Sequence, residues 1–187
     1  PSRITYVLLG TGLLWFGWIG FNGGSAFGAN QTAVLATFTT TIASATAMLV
    51  WLFVDAAKRK KPSALNACVG AVVGLVAITP SAGLVTPFES FLIGVAVEWR
   101  TSKTALDDTL DVFPSHGIGG MVGMLLTGVF AENGNFLIQL FALSAVFIYV
   151  YFMTIILLKI TNYILPLRVD ANDEKLGLDI TQHNEKL

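Results

Sequence analysis

A histidine stands at position 116, inside a run of apolar and small residues that contains no other ionisable side chain. From Val112 to Ala131 there is no Asp, Glu, Lys or Arg, and the run is long enough to cross a bilayer. An ionisable group at that depth is costly, so such groups usually mark a pathway for substrate or protons. The alternative is a histidine whose ring is satisfied by a carbonyl of a neighbouring helix. We favour the functional role for His116.

Phe21 and Ser25 are a second pair whose chemistry and spacing suit a small cation. They are four residues apart, which places them on one face of a helix. An aromatic face attracts a desolvated cation by about 2 kcal/mol, and a hydroxyl oxygen adds a hydrogen-bond acceptor. Taken without further context, core packing is the better explanation of Phe21, and a turn is the better explanation of Ser25.

The composition indicates that these residues lie in a membrane protein. Only 12% of the 187 residues are charged and 54% are hydrophobic, more apolar surface than a soluble domain of this size covers. We predict an all-α, polytopic helical membrane protein. The net charge of −1 gives no basis for a nucleic-acid partner, and the lone Cys68 excludes an internal disulfide. No nucleophile–base pair, metal-ligand cluster or phosphate loop is present, so neither an enzyme nor a cofactor or metal is predicted.

Charge-free runs and turn residues divide the chain into six predicted spans in a membrane domain of residues 1–160, followed by a polar cytoplasmic tail of residues 161–187. The spans are Ile4–Phe27, Ala33–Val54, Ala64–Ile78, Val85–Trp99, Val112–Ala131 and Phe136–Leu158.

The basic residues give the orientation of these spans. With six crossings, all of them fall on the side that holds both chain ends, which the positive-inside rule identifies as cytoplasmic. They are Arg3, Lys58, Arg59, Lys60, Lys61, Arg100, Lys103, Lys159, Arg168, Lys175 and Lys186.

The fourth span is unusually short and contains Glu89 and Glu98. Val85–Trp99 covers about 22 Å, against about 30 Å for the hydrocarbon core. A re-entrant segment is the competing interpretation, but it would place Arg100 and Lys103 outside. We therefore expect a short crossing.

Glycines recur at the spacing of packed helices, in the pairs Gly20 and Gly24, Gly70 and Gly74, and Gly119 and Gly123. The glycines next to His116 are denser than packing requires, and Pro114 removes a backbone donor just before them. We expect a locally narrowed helix there. Asp107, Asp108 and Asp111 precede this helix and are interpreted as capping residues rather than an ion site. Thr79 and Pro80 are expected to end the third span.

The string from Asp107 to Gly120, Asp-Asp-x-x-Asp-Val-Phe-x-x-His-Gly-x-Gly-Gly, resembles the tenth-helix signature of the ammonium transporter (Amt/Mep/Rh) family. Three more segments agree in order. Trp18–Ser25 resembles the family's sixth helix, Gly70–Pro80 its eighth, and Gly177-Leu178-Asp179 with His183 its cytoplasmic tail motif.

The resemblance implies a role for each of these residues. Phe21 matches an aromatic gate and Ser25 a hydroxyl that recruits ammonium, and Trp18 would face the same channel. His116 matches the second of two paired pore histidines. The structural residues near the pore would be Asp111, Gly117 and Gly120, and the regulatory tail would contain Gly177, Asp179 and His183.

The match covers the second half of such a transporter, which consists of one of two inverted repeats plus a final helix. It implies transport of ammonium or ammonia through a hydrophobic pore in the cell membrane. It also implies a homotrimer and a PII-type regulatory protein at the tail. Gln182 and Asn184 depart from the usual tail pattern, and the partner of His116 would lie in a first half. Two alternatives stay open: a non-transporting ammonium sensor, and a structural half-subunit that needs a partner chain.

Overall fold

Eight α-helices account for most of the described chain. The computed structural model describes residues 3–58, 61–97 and 112–185, and the predicted roles of Glu98, Arg100, Lys103, Asp107, Asp108 and Asp111 lie outside them. The helices are α1 Ile4–Gly24, α2 Gln31–Ala57, α3 Ala64–Ile78, α4 Pro87–Ala96, α5 Gly119–Phe130, α6 Phe136–Ile164, α7 Ala171–Leu176 and α8 Leu178–Thr181, with a π-helical turn Phe113–Ile118 leading into α5.

Side-chain caps set where three of these helices begin. The Asn30 side chain accepts a hydrogen bond from the Ala33 amide at 2.9 Å at the start of α2, and the Ser63 hydroxyl does the same for α3. A capping box starts α4: the Thr86 amide donates to the Glu89 carboxylate at 2.7 Å, and the Glu89 amide donates to the Thr86 hydroxyl. Each cap satisfies amides that the first helical turn leaves without partners.

The helix lengths confirm an all-α membrane protein but not six full crossings. Among the described residues, four helices are long and apolar enough to span a bilayer: Ile4–Gly24, Gln31–Ala57, Phe113–Phe130 and Phe136–Ile164. α3 has the predicted bounds but only 15 residues. The fourth predicted span is wrong at its start, because the Thr86 cap delays α4 until Pro87. Glu89 is therefore a capping residue at a helix end.

Close backbone contacts set the relative directions of α2, α3 and α4. A Cβ atom added at Gly74 would lie 2.7 Å from the Ala43 carbonyl oxygen, and one at Gly70 would lie 3.1 Å from that of Ala47, so α2 and α3 are antiparallel. Gly94 also approaches Ala43, and the Ser90 hydroxyl donates to the Thr39 carbonyl at 2.6 Å, so α4 runs parallel to α2.

Two of the three predicted glycine pairs pack as expected. Gly70 and Gly74 contact α2, and Gly123 lies against the main chain of Ala77 on α3. Gly119 is in ordinary contact with α3. Gly20 and Gly24 have no neighbour in the described chain within 4 Å of an added Cβ, so the packing of that pair stays a prediction.

The chain forms two units, Pro1–Leu143 and Ser144–Leu187. The first holds a core between α2, α3, α4 and α5, whose fully buried members include Ala43, Ala77, Ile78 and Ile93. Buried hydroxyls add hydrogen bonds between helices there, such as that from Ser44 to the Ala71 carbonyl at 2.9 Å. The second unit consists of the rest of α6, the connecting segment and the short helices α7 and α8.

Candidate functional site

The backbone around His116 departs from an α-helix at the place where Pro114 predicts a disturbance. The Gly119 amide donates to the Pro114 carbonyl, five residues earlier, as in a π-helix. Pro114 has no amide of its own to donate, which weakens the ordinary four-residue pattern here. The expected narrowing is therefore wrong, because a π-helical turn is wider than an α-helical one. Such turns occur frequently at functional sites.

The Trp18 ring neighbours the rings of both Phe21 and His116. Its centroid is 6.2 Å from that of the His116 ring, with the planes 30° apart. The centroid of the Phe21 ring is 6.0 Å from that of Trp18, with the planes 59° apart. Three residues named from sequence thus form one row of rings, although they come from α1 and from the π-helical turn. Among the described residues, this chain leaves the His116 side chain exposed.

Thr79 holds the indole of Trp18. The Trp18 Nε1–H donates to the Thr79 hydroxyl oxygen at 2.8 Å, and that hydroxyl donates to the Leu75 carbonyl at 2.8 Å. Thr79 does end α3, as expected, but the sequence analysis missed its second role. The spacing of four residues between Thr79 and Leu75 is local and can be read from the sequence. The contact between Thr79 and Trp18 on α1 cannot.

Phe21 and Ser25 come together at the end of α1. The Phe21 side chain is 62% exposed, so its ring is free to meet a cation. The Ser25 hydroxyl donates to the Phe21 carbonyl at 2.7 Å. This hydrogen bond uses the hydroxyl proton and leaves lone pairs on the oxygen. Both groups therefore offer electron-rich atoms at the same helix end.

An open apolar groove of about 540 Å³ runs along one face of α1. The residues that line it recur at helical spacing, and they are Gly10, Leu13, Leu14, Gly17, Trp18 and Phe21. The groove therefore ends on two rings of the aromatic row. Its wall carries almost no polar surface.

The remaining predicted residues have structural surroundings of their own. Gly117 lies under the Phe113 ring, where an added Cβ would be 3.0 Å from a ring carbon, and Gly120 is in ordinary contact with Val76 on α3. Asp111 lies outside the described residues. No group of three or more His, Cys, Asp or Glu side chains within the described ranges is arranged to hold a metal ion.

In the tail, Gly177 joins α7 to α8 with a φ of 102°, a conformation that favours glycine. Asp179 follows it at the start of α8, and His183 is exposed just beyond that helix. Upstream, Arg168 donates two hydrogen bonds to the Glu174 carboxylate, at 2.8 and 3.2 Å. The Arg168 guanidinium lowers the pKa of the Glu174 carboxyl below its ordinary value of 4.5, first through these hydrogen bonds and then through its charge.

Comparison with known proteins identifies the kind of molecule to which this site belongs. Residues 1–187, the whole chain, match the Ammonium Transporter Family. The chain belongs to the ammonium transporter family. It is 41% identical to an ammonium transporter of Bacillus subtilis over 209 aligned residues, which cover 100% of this chain and 52% of that protein. It is 37% identical to the ammonium transporter Amt1 of Archaeoglobus fulgidus, covering 99% of this chain and 52% of that one.

Solved structures of the family share the fold. Mep2 of Saccharomyces cerevisiae matches with a TM-score of 0.84 and 33% identity, over 91% of this chain and 44% of that one. A protein described as a sensor Amt protein matches with a TM-score of 0.88 and 30% identity, over 97% of this chain and 49% of that one. The chain thus spans about half the length of the curated relatives it matches.

Membership of the ammonium transporter family confirms the predictions of a multi-pass membrane protein and of a transporter-family chain rather than an enzyme. The alignment with the Bacillus relative is longer than the 187 residues of this chain, so that relative has additional residues within the matched region.

Proposed function

We propose that this chain contributes one wall of a pore that conducts ammonium or ammonia across the cell membrane. The observation that carries the proposal is the row of rings from Phe21 through Trp18 to His116, with centroid separations of 6.0 and 6.2 Å. The row connects an exposed cation-attracting ring to an imidazole. An apolar groove on α1 adjoins two of its three members.

The outer end of this path recruits the cation. Ammonium is strongly hydrated, so protein groups have to replace its water. The exposed Phe21 ring supplies a cation–π contact of about 2 kcal/mol once the ion is desolvated. The Ser25 oxygen accepts one N–H, since its own proton is held by the Phe21 carbonyl.

Beyond Phe21 the path separates ammonium from the alkali ions. An apolar wall offers K⁺ and Na⁺ nothing to replace their water, and neither ion can lose its charge. Ammonium can release a proton and continue as ammonia. The His116 ring then offers a hydrogen-bonding partner where the other groups on the path are apolar rings and aliphatic side chains.

Replacing His116 tests this function. The His116→Ala variant, reconstituted in vesicles together with the complementary half of the Bacillus relative, should lose selective ammonium uptake, while its yield and thermal unfolding stay close to those of the unchanged chain. His183→Ala makes the same chemical change in the tail and should leave uptake unaltered. Unchanged uptake and ion selectivity in His116→Ala would refute the role of this histidine.

A complete pore requires a second wall, because the groove on α1 is open along its length. We assign the chain to the second half of an inverted-repeat transporter, with six crossings and both ends cytoplasmic. Vesicles that contain the chain alone should conduct poorly. Vesicles that also contain the complementary half of the Bacillus relative should conduct ammonium. Conduction by the chain alone at the same rate would contradict the requirement for a second half.

The fold match to a sensor Amt protein makes an ammonium sensor the second candidate. Both candidates use the site at Phe21 and Ser25, but only the transporter needs passage beyond Trp18. Saturable ammonium binding without any flux, from the chain together with its complementary half, would favour the sensor.

Two assembly partners belong to the same proposal. A homotrimer would have three times the 20.0 kDa mass of the chain, or three times the sum of both halves, and native mass spectrometry distinguishes these cases.

A PII-type regulator would contact the tail around Gly177, Asp179 and His183. His183→Ala should then weaken its capture on immobilised vesicles without affecting trimer mass.

A further inference from the structure

The indole N–H of Trp18 is held by Thr79. It donates to the Thr79 hydroxyl at 2.8 Å, across 61 positions in the sequence. The same hydroxyl donates its proton to the Leu75 carbonyl at 2.8 Å. Thr79 is therefore oriented by its own helix before it meets Trp18, and its free lone pair faces the indole.

This hydrogen-bond chain has a consequence for the surface of Trp18. Indole has one polar atom, which is a donor only. Because Thr79 occupies that donor, the ring presents only its apolar faces and edges to Phe21 and His116. An indole released from Thr79 would carry an unpaired donor beside the path, and it would hold a water or the substrate there.

We propose that Thr79 is a positioning residue for conduction, which fixes the Trp18 ring between Phe21 and His116 and keeps its polar N–H out of the path. Resting on the proposed conduction function, this adds a residue of α3 that acts on the path through the Trp18 ring. Recruitment at Phe21 and Ser25 does not depend on Thr79, whereas passage from Phe21 to His116 does. The maximal rate of uptake should therefore respond to Thr79, and the apparent KM should not.

Thr79→Val keeps the shape of the side chain and removes the hydroxyl. We expect its maximal ammonium uptake to fall about tenfold, with an apparent KM within about twofold of the unchanged protein. Thr79→Ser restores a hydroxyl at the same position and should restore the rate. A merely structural role would lower the amount of folded protein without this division between rate and KM.

A double substitution shows whether Thr79 acts through Trp18. Trp18→Phe retains an aromatic ring and removes the N–H, so Thr79→Val should have no further effect on rate in that background. An equal loss of rate in both backgrounds would overturn the proposal, because Thr79 would then act independently of the indole. So would an unchanged rate in Thr79→Val alone.

A readout that needs no transport separates this inference from the proposed function. The indole ¹⁵N–H signal of Trp18, identified by its absence in Trp18→Phe, should exchange slowly with solvent in the unchanged chain and in Thr79→Ser. In Thr79→Val it should exchange at least about tenfold faster. If the signal responds in this way but the unchanged chain conducts no ammonium even with its complementary half, the contact is real and the conduction proposal fails. A signal unaffected by Thr79→Val overturns the positioning role.

Discussion

Two of the residues that carry chemistry here, Trp18 and Ser25, have their hydrogen-bond donors engaged by a neighbouring acceptor. The proton of Ser25 is held by the Phe21 carbonyl, and the N–H of Trp18 is held by Thr79. What remains facing the path are aromatic surfaces and oxygen lone pairs. These are the groups that attract a cation, and they leave His116 as the polar ring at the far end of the row.

Phe21 should control the affinity for ammonium. Phe21→Leu retains apolar bulk but loses the cation–π contact of about 2 kcal/mol, so the apparent KM for ammonium uptake should rise about 30-fold. Phe16→Leu makes the same change at a 79% exposed position on the same helix, outside the groove, and should leave the KM unaltered. Equal KM values in both variants would refute cation recruitment by Phe21.

At the tail, Arg168 and Glu174 predict a pH dependence. The pKa of Glu174 is lowered in the folded tail, so the contact stabilises the tail above the ordinary pKa of 4.5 and is lost as the pH falls through the lowered value. Arg168→Gln should raise the pKa of Glu174 towards 4.5. The pKa is measured by ¹³C-carboxyl NMR, and the signal of Glu174 is assigned by its absence in Glu174→Gln. Lys175→Gln removes a charge of the same sign from the adjacent position and should have little effect. A Glu174 titration unchanged by Arg168→Gln would contradict the ion pair.

At the scale of elements, local signals were readable from sequence and distant pairings were not. The charge-free apolar run and its end at Thr79 and Pro80 gave the bounds of α3, because helix-ending residues act within a few positions. The start of α4 was missed because the Thr86–Glu89 capping box was not recognised. The π-helical turn and the Trp18–Thr79 hydrogen bond depend on how α1, α3 and α5 pack, so periodicity does not reveal them.

The contact between α3 and α5 depends on Gly123. A Cβ atom there would overlap the main chain of Ala77, which has no flexible end to move aside. Gly123→Ala should therefore destabilise the chain by about 1–3 kcal/mol and lower its Tm by about 3–10 °C in detergent. Gly24→Ala places the same methyl group in open space and should leave the Tm nearly unchanged. Equal Tm values would contradict the close packing of these helices.

At the scale of the whole molecule, two apolar helices, α1 and α6, are left uncovered by the other described residues. None of the most hydropathic part of α1 or α6 is buried inside the chain, whereas 39% of the corresponding part of α2 is. Such surfaces are stable only against lipid or other protein. The half-length match to family members and the groove on α1 favour protein against α1.

At the scale of the whole molecule, the basic residues predict an orientation in the membrane, and cysteine labelling tests it. Cys68, the one native cysteine, is buried and gives a low background. Lys61→Cys, in the basic loop before α3, should react with a membrane-impermeant maleimide only after cells are opened. Asn133→Cys lies in the loop between α5 and α6, which contains no Lys or Arg, and it should react in intact cells. The two positions are separated by three crossings only if α4 and the segment after it traverse the membrane. Labelling of both from the same side would make that segment re-entrant and would place the tail outside.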